Sequence, residues 1–253
     1  MTLAIQMTRS LGEIHRQNIV HKDINPSNIV WNARTGQLKI IDFGVAMMLA
    51  REDPTIKNPD VLEGTLPYIS PEKTGRMNRS IDYRTDYYSL GVTLYELLTG
   101  TRPFNFSDAT EMVHAHIADT PMPPSIVNQA VPLVVSDIVM KLMSKTAEKR
   151  YQSAEGLLAD IEECAKRLSE TGHIDPFPLA HNDMSDRFQI PETLYGRQED
   201  IAHLLTIFQQ VADGSTAVVL YTGEPGVGKS ALVKEIHKPI VEKGGYFIGS
   251  SAL

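Results

Sequence analysis

The sequence predicts a mostly α-helical domain with one small β-hairpin, followed by the start of an α/β domain. Within residues 1–168, apolar residues recur mainly at helical spacing, and two short apolar segments around "ARTG" interrupt this pattern. Within residues 194–253, an apolar run leads into a glycine-rich turn and then a second helical stretch. Residues 169–193 contain prolines and lose the periodicity, so we expect an interdomain linker there.

The first domain is expected to begin with an amphipathic helix, because apolar side chains share one helical face at Leu3, Met7, Leu11 and Ile14. "IVWN" and "QLKII" predict two short strands, and Gly36 between them can take the positive φ of a tight turn. The charged, proline-containing stretch 45–66 predicts a long exposed loop.

Further helices are expected in the rest of the chain. "TDYYSLGVTLYELLTG" is apolar almost all round, which indicates a helix buried on most sides that ends at Gly100. Three more amphipathic helices are expected over about 108–119, 133–145 and 154–169. The α/β part is expected to contain a helix over about 198–212, then strands "AVVLYTG" and "YFIGS" with a helix between them.

Composition excludes several classes of function. The net charge is −7 and no run of five or more like charges occurs, so no nucleic-acid partner is expected. No apolar run is long enough for a membrane span. Charged residues interrupt the first fifteen residues, so we expect this segment to be a helix and not a signal peptide. Cys164 is the single cysteine, so we expect a buried thiol and a reducing, cytoplasmic location.

Two short motifs indicate chemistry on phosphate groups. "HKDINPSNIV" carries the spacing H-x-D-x-x-x-x-N, and "DFG" follows the predicted hairpin. Phosphoryl transfer requires a group that positions the acceptor hydroxyl and oxygen ligands for a hard metal ion. Asp23, Asn28 and Asp42 supply such oxygens, and we expect the hairpin to bring them together.

With "GTLPYISPE", "DYYSLG" and "KRYQSA", these motifs make residues 1–168 resemble the C-terminal lobe of a eukaryotic-type serine/threonine protein kinase. The resemblance implies that Asp23 is the catalytic residue that accepts the hydroxyl proton of a protein substrate. It implies that Asn28 and Asp42 bind Mg²⁺, with Asp42 bridging the ion to the phosphates of ATP.

The same resemblance implies supporting roles for other residues. Thr65 is expected beside the catalytic aspartate, and Asp86 is expected to hold the backbone of the catalytic loop. Glu72 is expected to pair with Arg150, because a buried charge requires a partner.

The catalytic segment departs from the family at two positions. Asn25 occupies the catalytic position of a lysine that contacts the transferred phosphate, and a neutral amide cannot neutralise that charge. Lower activity is therefore expected, unless another cation compensates. Lys22 replaces an arginine that can bind a phosphorylated activation loop, so activation through Thr55 or Thr65 is less expected.

The N-terminal lobe of the kinase family has no counterpart in the sequence. Nothing before residue 20 resembles its glycine-rich loop or its ATP-anchoring lysine. We therefore expect either a fragment or a reading frame that starts late at an internal Met, and little kinase activity in the isolated chain.

The second predicted nucleotide site is "GEPGVGKS", residues 223–230, which matches G-x-x-x-x-G-K-[ST] between a predicted strand and helix. We expect backbone contacts to phosphates from Gly223, Gly226 and Gly228, a contact of Lys229 with the β- and γ-phosphates, and Mg²⁺ on Ser230. "LYGRQEDI" upstream resembles the entry to AAA-type ATPase domains. "YFIGS" ends without an acidic residue, so this α/β P-loop domain is expected to be truncated.

The order of these parts resembles large bacterial proteins that join a serine/threonine kinase, an AAA-type ATPase and a sensor histidine kinase. This resemblance implies ATP and Mg²⁺ as cofactors, a protein substrate, a role in signal transduction and a downstream histidine kinase module as a partner. A pseudokinase-like regulatory scaffold with a nucleotide-binding P-loop is the alternative that Asn25 and the missing lobe suggest. A small-molecule phosphotransferase shares H-x-D-x-x-x-x-N, but "SPE" and the long activation loop argue against it.

Overall fold

A computed structural model describes residues 1–49, 64–75, 79, 81–181, 183–184, 196–224, 227–236, 239–240 and 243. Its helices are α1 (Thr2–Arg16), α2 (Arg84–Thr99), α3 (Ala109–Ala118), α4 (Pro124–Val127), α5 (Leu133–Leu142), α6 (Ala154–Thr171), α7 (Gln198–Ala212) and α8 (Lys229–Lys234). Its strands are β1 (Ile19–Val20), β2 (Ile29–Asn32), β3 (Gln37–Ile40) and β4 (Met47–Met48). Short 3₁₀ turns cover Pro26–Asn28, Leu66–Tyr68, Pro71–Thr74 and Ala147–Lys149.

The strands form two antiparallel pairs. β2 and β3 form the predicted hairpin, and Gly36 in its turn has a φ of 68°, which glycine adopts without strain. The pairing of β1 with β4 was not predicted, because two-residue strands carry no periodic pattern. It joins the two ends of residues 21–46, which contain both kinase-like motifs.

The helical core contacts the β2–β3 hairpin through α1, which packs against β3. α2 is buried over most of its circumference, as predicted, and ends at Gly100, whose φ is 74°. α1 packs on α6, and α5 contacts both α2 and α6, so the apolar faces of these helices form one cluster. α4 was not predicted; it begins at Pro124, whose fixed φ suits the first turn of a helix. Among the described helices, none is long and apolar enough to cross a membrane.

α6 continues to Thr171, and part of the predicted linker lies against the first domain. The Asp183 carboxylate accepts hydrogen bonds from the backbone N–H groups of Gln152 at 2.6 Å and Ser153 at 2.8 Å, just before α6 begins. Cys164 in α6 is fully buried, as predicted. The boundaries 1–168, 169–193 and 194–253 remain predictions.

In the C-terminal part, α7 and α8 confirm two predicted helices. The predicted strand "AVVLYTG" is wrong for the described structure, since residues 217–223 have no regular structure and Val218 and Leu220 are exposed. An extended segment becomes a stable strand through hydrogen bonds to a neighbouring strand, and the described residues supply none here. "YFIGS" and residues 50–63 of the predicted loop lie outside the described residues.

Candidate active site

The first part of the site is the backbone that leads to Asp23, and Asp86 in α2 anchors it. The Asp86 carboxylate accepts hydrogen bonds from the N–H groups of His21 at 2.8 Å and Lys22 at 2.7 Å. This confirms the expected role of Asp86. The carboxylate is fully buried and also lies 2.9 Å from Nε2 of His15, a contact that no sequence motif indicated. A fully buried carboxylate with these partners holds the loop in one conformation.

The Asp23 side chain is partly exposed, and hydrogen bonds orient both of its oxygens. The Thr65 N–H donates to Oδ1 at 2.8 Å, and Nδ2 of Asn28 donates to Oδ2 at 3.0 Å. The predicted position of Thr65 beside Asp23 is thus confirmed. Burial alone would raise the pKa of Asp23, but hydrogen bonds from Thr65 and the charge of Lys73 lower it. Asp23 is therefore ionised at neutral pH and can accept a hydrogen bond from a hydroxyl group.

Asn28 connects the catalytic loop to the hairpin. Its Nδ2 also donates to the backbone oxygen of Asp23 at 2.8 Å, so the amide hydrogens are used within the loop. Its backbone oxygen accepts a hydrogen bond of 2.9 Å from the N–H of Ile41, the residue before Asp42. The structure therefore brings Asn28 into contact with Asp23 and places the start of "DFG" beside Asn28.

The "DFG" segment adopts an uncommon backbone conformation. Asp42 has a φ of 64°, which residues other than glycine rarely adopt, and its Oδ1 accepts a hydrogen bond from Gly44 at 3.1 Å. The Phe43 ring packs edge-on against His21 with ring centroids 4.8 Å apart, and Nε2 of His21 lies 3.0 Å from the Ile41 oxygen. Such conformations persist where neighbouring contacts determine them, and His21 provides these contacts.

Asn25 has a structural position that the sequence did not predict. Its Oδ1 accepts from the N–H of Ser27 at 2.9 Å, which caps the following 3₁₀ turn. Its Nδ2 donates to the Asp23 backbone oxygen at 3.1 Å and to Oγ1 of Thr65 at 3.2 Å. The side chain is buried, so a contact with phosphate would require one of these hydrogen bonds to break.

The segment after Thr65 is held by a buried ion pair. The Arg150 guanidinium donates to both carboxylate oxygens of Glu72, at 2.6 and 2.8 Å, which confirms the predicted pair. Oγ1 of Thr85 also donates to Glu72 at 2.6 Å, and Oγ of Ser70 lies 2.7 Å from Thr85. This bidentate geometry satisfies both charges inside the protein.

Lys73 lies in the site, although no sequence motif indicated it. It follows Glu72 in the 3₁₀ turn Pro71–Thr74, is buried, and donates from Nζ to the backbone oxygen of Lys22. The two residues lie 51 positions apart, so their contact depends on the tertiary fold.

The predicted P-loop is described in part. Nζ of Lys229 donates to the backbone oxygens of Gly223 and Glu224, each at 2.8 Å. Gly228 has a φ of 88° immediately before α8. Gly226 lies outside the described residues, as does Thr55, and only the backbone of Ser230 is described. No described hydrogen bond or ion pair joins this loop to Asp23, Asn28 or Asp42.

Comparison with known proteins gives two family matches. Residues 1–161 match the protein kinase domain, and residues 193–252 match the AAA ATPase domain. Hybrid signal transduction histidine kinase G of Dictyostelium discoideum is 37% identical over 94% of this chain, which covers 9% of that protein. Serine/threonine-protein kinase PknB of Mycobacterium tuberculosis is 35% identical over 60% of this chain, which covers 24% of that protein. The chain therefore spans a quarter or less of the length of these relatives.

Proposed function

Because the chain belongs to the protein kinase domain family, we propose that it carries the catalytic loop of a serine/threonine protein kinase. The reaction is transfer of the γ-phosphoryl group of ATP to a serine or threonine hydroxyl of a protein substrate. The similarity to PknB, named a serine/threonine-protein kinase, supports this reaction type.

The geometry of Asp23 is the observation that carries the proposal. Its two oxygens are fixed by Thr65 and Asn28, and its lowered pKa keeps it ionised. Because it is partly exposed, the carboxylate can accept a hydrogen bond from an incoming hydroxyl and later receive its proton. In phosphoryl transfer such positioning provides much of the catalysis.

The residues beside Asp23 fit a magnesium ion. The amide hydrogens of Asn28 are engaged by Asp23, so its Oδ1 is the atom that suits a cation, and the exposed Asp42 adds a carboxylate. The described residues contain no cluster of three or more His, Cys, Asp or Glu, so the remaining ligands would come from nucleotide and water. Mg²⁺ would supply charge neutralisation between the phosphates, while Asn28 and Asp42 would position it.

A phosphotransfer assay of the complete gene product tests this function. With γ-labelled ATP, Mg²⁺ and an acceptor protein, Asp23→Ala is expected to lower transfer by about 10²–10⁴-fold, the usual contribution of a positioned acid or base. Asp137→Ala, on the exposed face of α5, is the matched control and should retain wild-type transfer. A wild-type rate no higher than that of Asp23→Ala would refute the kinase function.

The P-loop part supports a second nucleotide site, in keeping with the AAA ATPase match. Nζ of Lys229 would exchange its present bonds with Gly223 and Glu224 for oxygens of the β- and γ-phosphates. Nucleotide binding that is lost in Lys229→Ala and kept in Asp42→Ala would place the stronger site here.

The position of Asn25 favours a specific alternative, a regulatory scaffold in which only the P-loop binds nucleotide. Asn25 brings no charge to the site, and its amide is engaged within the loop. This alternative predicts nucleotide binding by the P-loop together with the absence of phosphotransfer in the wild type. The similarity to the Dictyostelium protein supports a sensor histidine kinase module as a further partner, and a cytoplasmic location fits both functions.

A further inference from the structure

Lys73 brings a buried amine to the backbone beside the catalytic loop. Its side chain is 8% exposed, and Nζ donates a hydrogen bond to the backbone oxygen of Lys22, the residue before Asp23. A buried amine costs free energy unless it meets acceptors and negative charge. The position of Lys73 against the backbone of the catalytic loop therefore requires an explanation.

Lys73 and Asp23 approach each other across Gly64. A Cβ placed on Gly64 would lie 2.9 Å from Nζ of Lys73 and 3.2 Å from Oδ1 of Asp23. The φ of Gly64 is 94°, so glycine is favoured here by conformation and by space. The ammonium group and the carboxylate therefore both border the space that a side chain at position 64 would fill.

Several charged groups surround the amine of Lys73. The carboxylates are Asp86 on α2, Asp23 on the catalytic loop and Glu72 on the same 3₁₀ turn, and Lys22 supplies a like charge. Burial lowers the pKa of Lys73 to about 8, although the three carboxylates oppose this effect. Lys73 is therefore largely protonated at neutral pH and loses its charge as the pH rises through about 8.

We infer that Lys73 is a positioning residue that supplies, beside Asp23, the positive charge that Asn25 does not provide. This inference rests on the proposed kinase function. The ammonium group acts through its neighbours. It holds the Lys22 carbonyl just before Asp23, and its positive charge attracts the Asp23 carboxylate across Gly64. The positive charge beside the catalytic loop would thus come from Lys73, the residue after "SPE", and not from a residue of the loop itself.

The test measures kcat, KM and the pH profile of phosphotransfer by the complete gene product. Lys73→Met removes the charge and keeps an apolar stem of similar length. It is expected to lower kcat by about tenfold to a hundredfold, somewhat less than the loss of a direct transition-state donor, with little change in the KM for ATP. Lys39→Met, at an exposed position of β3, is the matched control and should retain wild-type kinetics.

The pH profile separates charge from packing. Wild-type kcat is expected to fall as the pH rises through about 8, and this alkaline limb should be missing in Lys73→Met. Lys73→Arg, which keeps the charge, should move the limb to higher pH and provides a second variant if Lys73→Met does not fold. Adding Asn25→Lys to Lys73→Met should restore part of kcat, because a cation then returns beside Asp23.

The possible failures are distinguishable. If the wild type transfers no more phosphate than Asp23→Ala, the kinase function itself is refuted. If the wild type is active and Lys73→Met retains its kcat and its alkaline limb, the role of Lys73 is wrong. If the double variant Lys73→Met/Asn25→Lys is no more active than Lys73→Met, the charge of Lys73 does not replace the lysine charge that is missing at position 25, and the inference is likewise wrong.

Discussion

Replacement of Glu72 by glutamine is expected to destabilise the kinase-like lobe by about 3 kcal/mol. The substitution keeps the size of the side chain and removes its charge. Arg150 would then remain 1% exposed, inside the protein, opposite a neutral amide. Removing one partner of a buried ion pair is costly because the other charge stays buried without compensation.

The pKa of Glu72 gives the same magnitude. Burial alone would raise this pKa, but the Arg150 guanidinium outweighs burial and lowers the pKa from 4.5 to about 2. At about 1.4 kcal/mol per pKa unit, the ionised form gains about 3 kcal/mol on folding. Because the folded pKa lies below the unfolded one, this stabilisation is present above about pH 4.5 and is lost as the pH falls toward 2.

Urea unfolding measures this effect, since urea leaves the ionic strength unchanged. Trp31 is the single tryptophan and lies in β2, so its fluorescence reports on the kinase-like lobe. Glu162→Gln is the matched control. Glu162 pairs with Arg9, and the two side chains are 44% and 59% exposed, respectively. Surface ion pairs of this kind contribute at most about 1 kcal/mol to stability.

The expected result at pH 7 is a loss of about 3 kcal/mol for Glu72→Gln and less than about 1 kcal/mol for Glu162→Gln. The difference between wild type and Glu72→Gln should shrink as the pH is lowered below about 4.5. Equal losses for the two variants at pH 7, or a difference that does not depend on pH, would show that the Glu72–Arg150 pair does not stabilise the lobe as described.

Two further predictions concern packing inside the lobe. Gly91→Ala should lower the free energy of unfolding by about 1–3 kcal/mol despite the better helix propensity of alanine, because the new Cβ would lie 2.8 Å from Cβ of Leu142. Urea unfolding checks this value, and a variant as stable as the wild type would mean that α2 and α5 can separate at no cost. Cys164 should react with a disulfide reagent only as fast as the lobe opens, since it is fully buried and burial raises the pKa of its thiol to about 11. Rapid reaction of the native protein at pH 8 would contradict the described packing of α6.

Local patterns in the sequence predicted most of the helices and the hairpin. The periodicity of α1, α5 and α6 follows from burial of one helical face, and the nearly continuous apolar character of α2 follows from its burial on most sides. β1, β4 and α4 were not predicted, because elements of two to four residues are too short for a period to repeat. "AVVLYTG" was misjudged for a related reason: an apolar run shows a preference for a strand, whereas a strand also needs a partner.

By itself, the sequence determined the chemical groups of this protein: a carboxylate at Asp23, an amide at Asn28 and a carboxylate at Asp42 at spacings typical of kinases. Only the tertiary structure decided how these groups are supported. In the folded protein, the Asn25 side chain hydrogen-bonds within the catalytic loop, and His15 contacts the Asp86 carboxylate. Lys73 and Asp23 both lie next to Gly64. The reason is physical. The spacing of a motif reflects contacts between residues that are close in sequence. The charged groups around a carboxylate also come from distant segments, and the packing of the helices decides which segments lie near it.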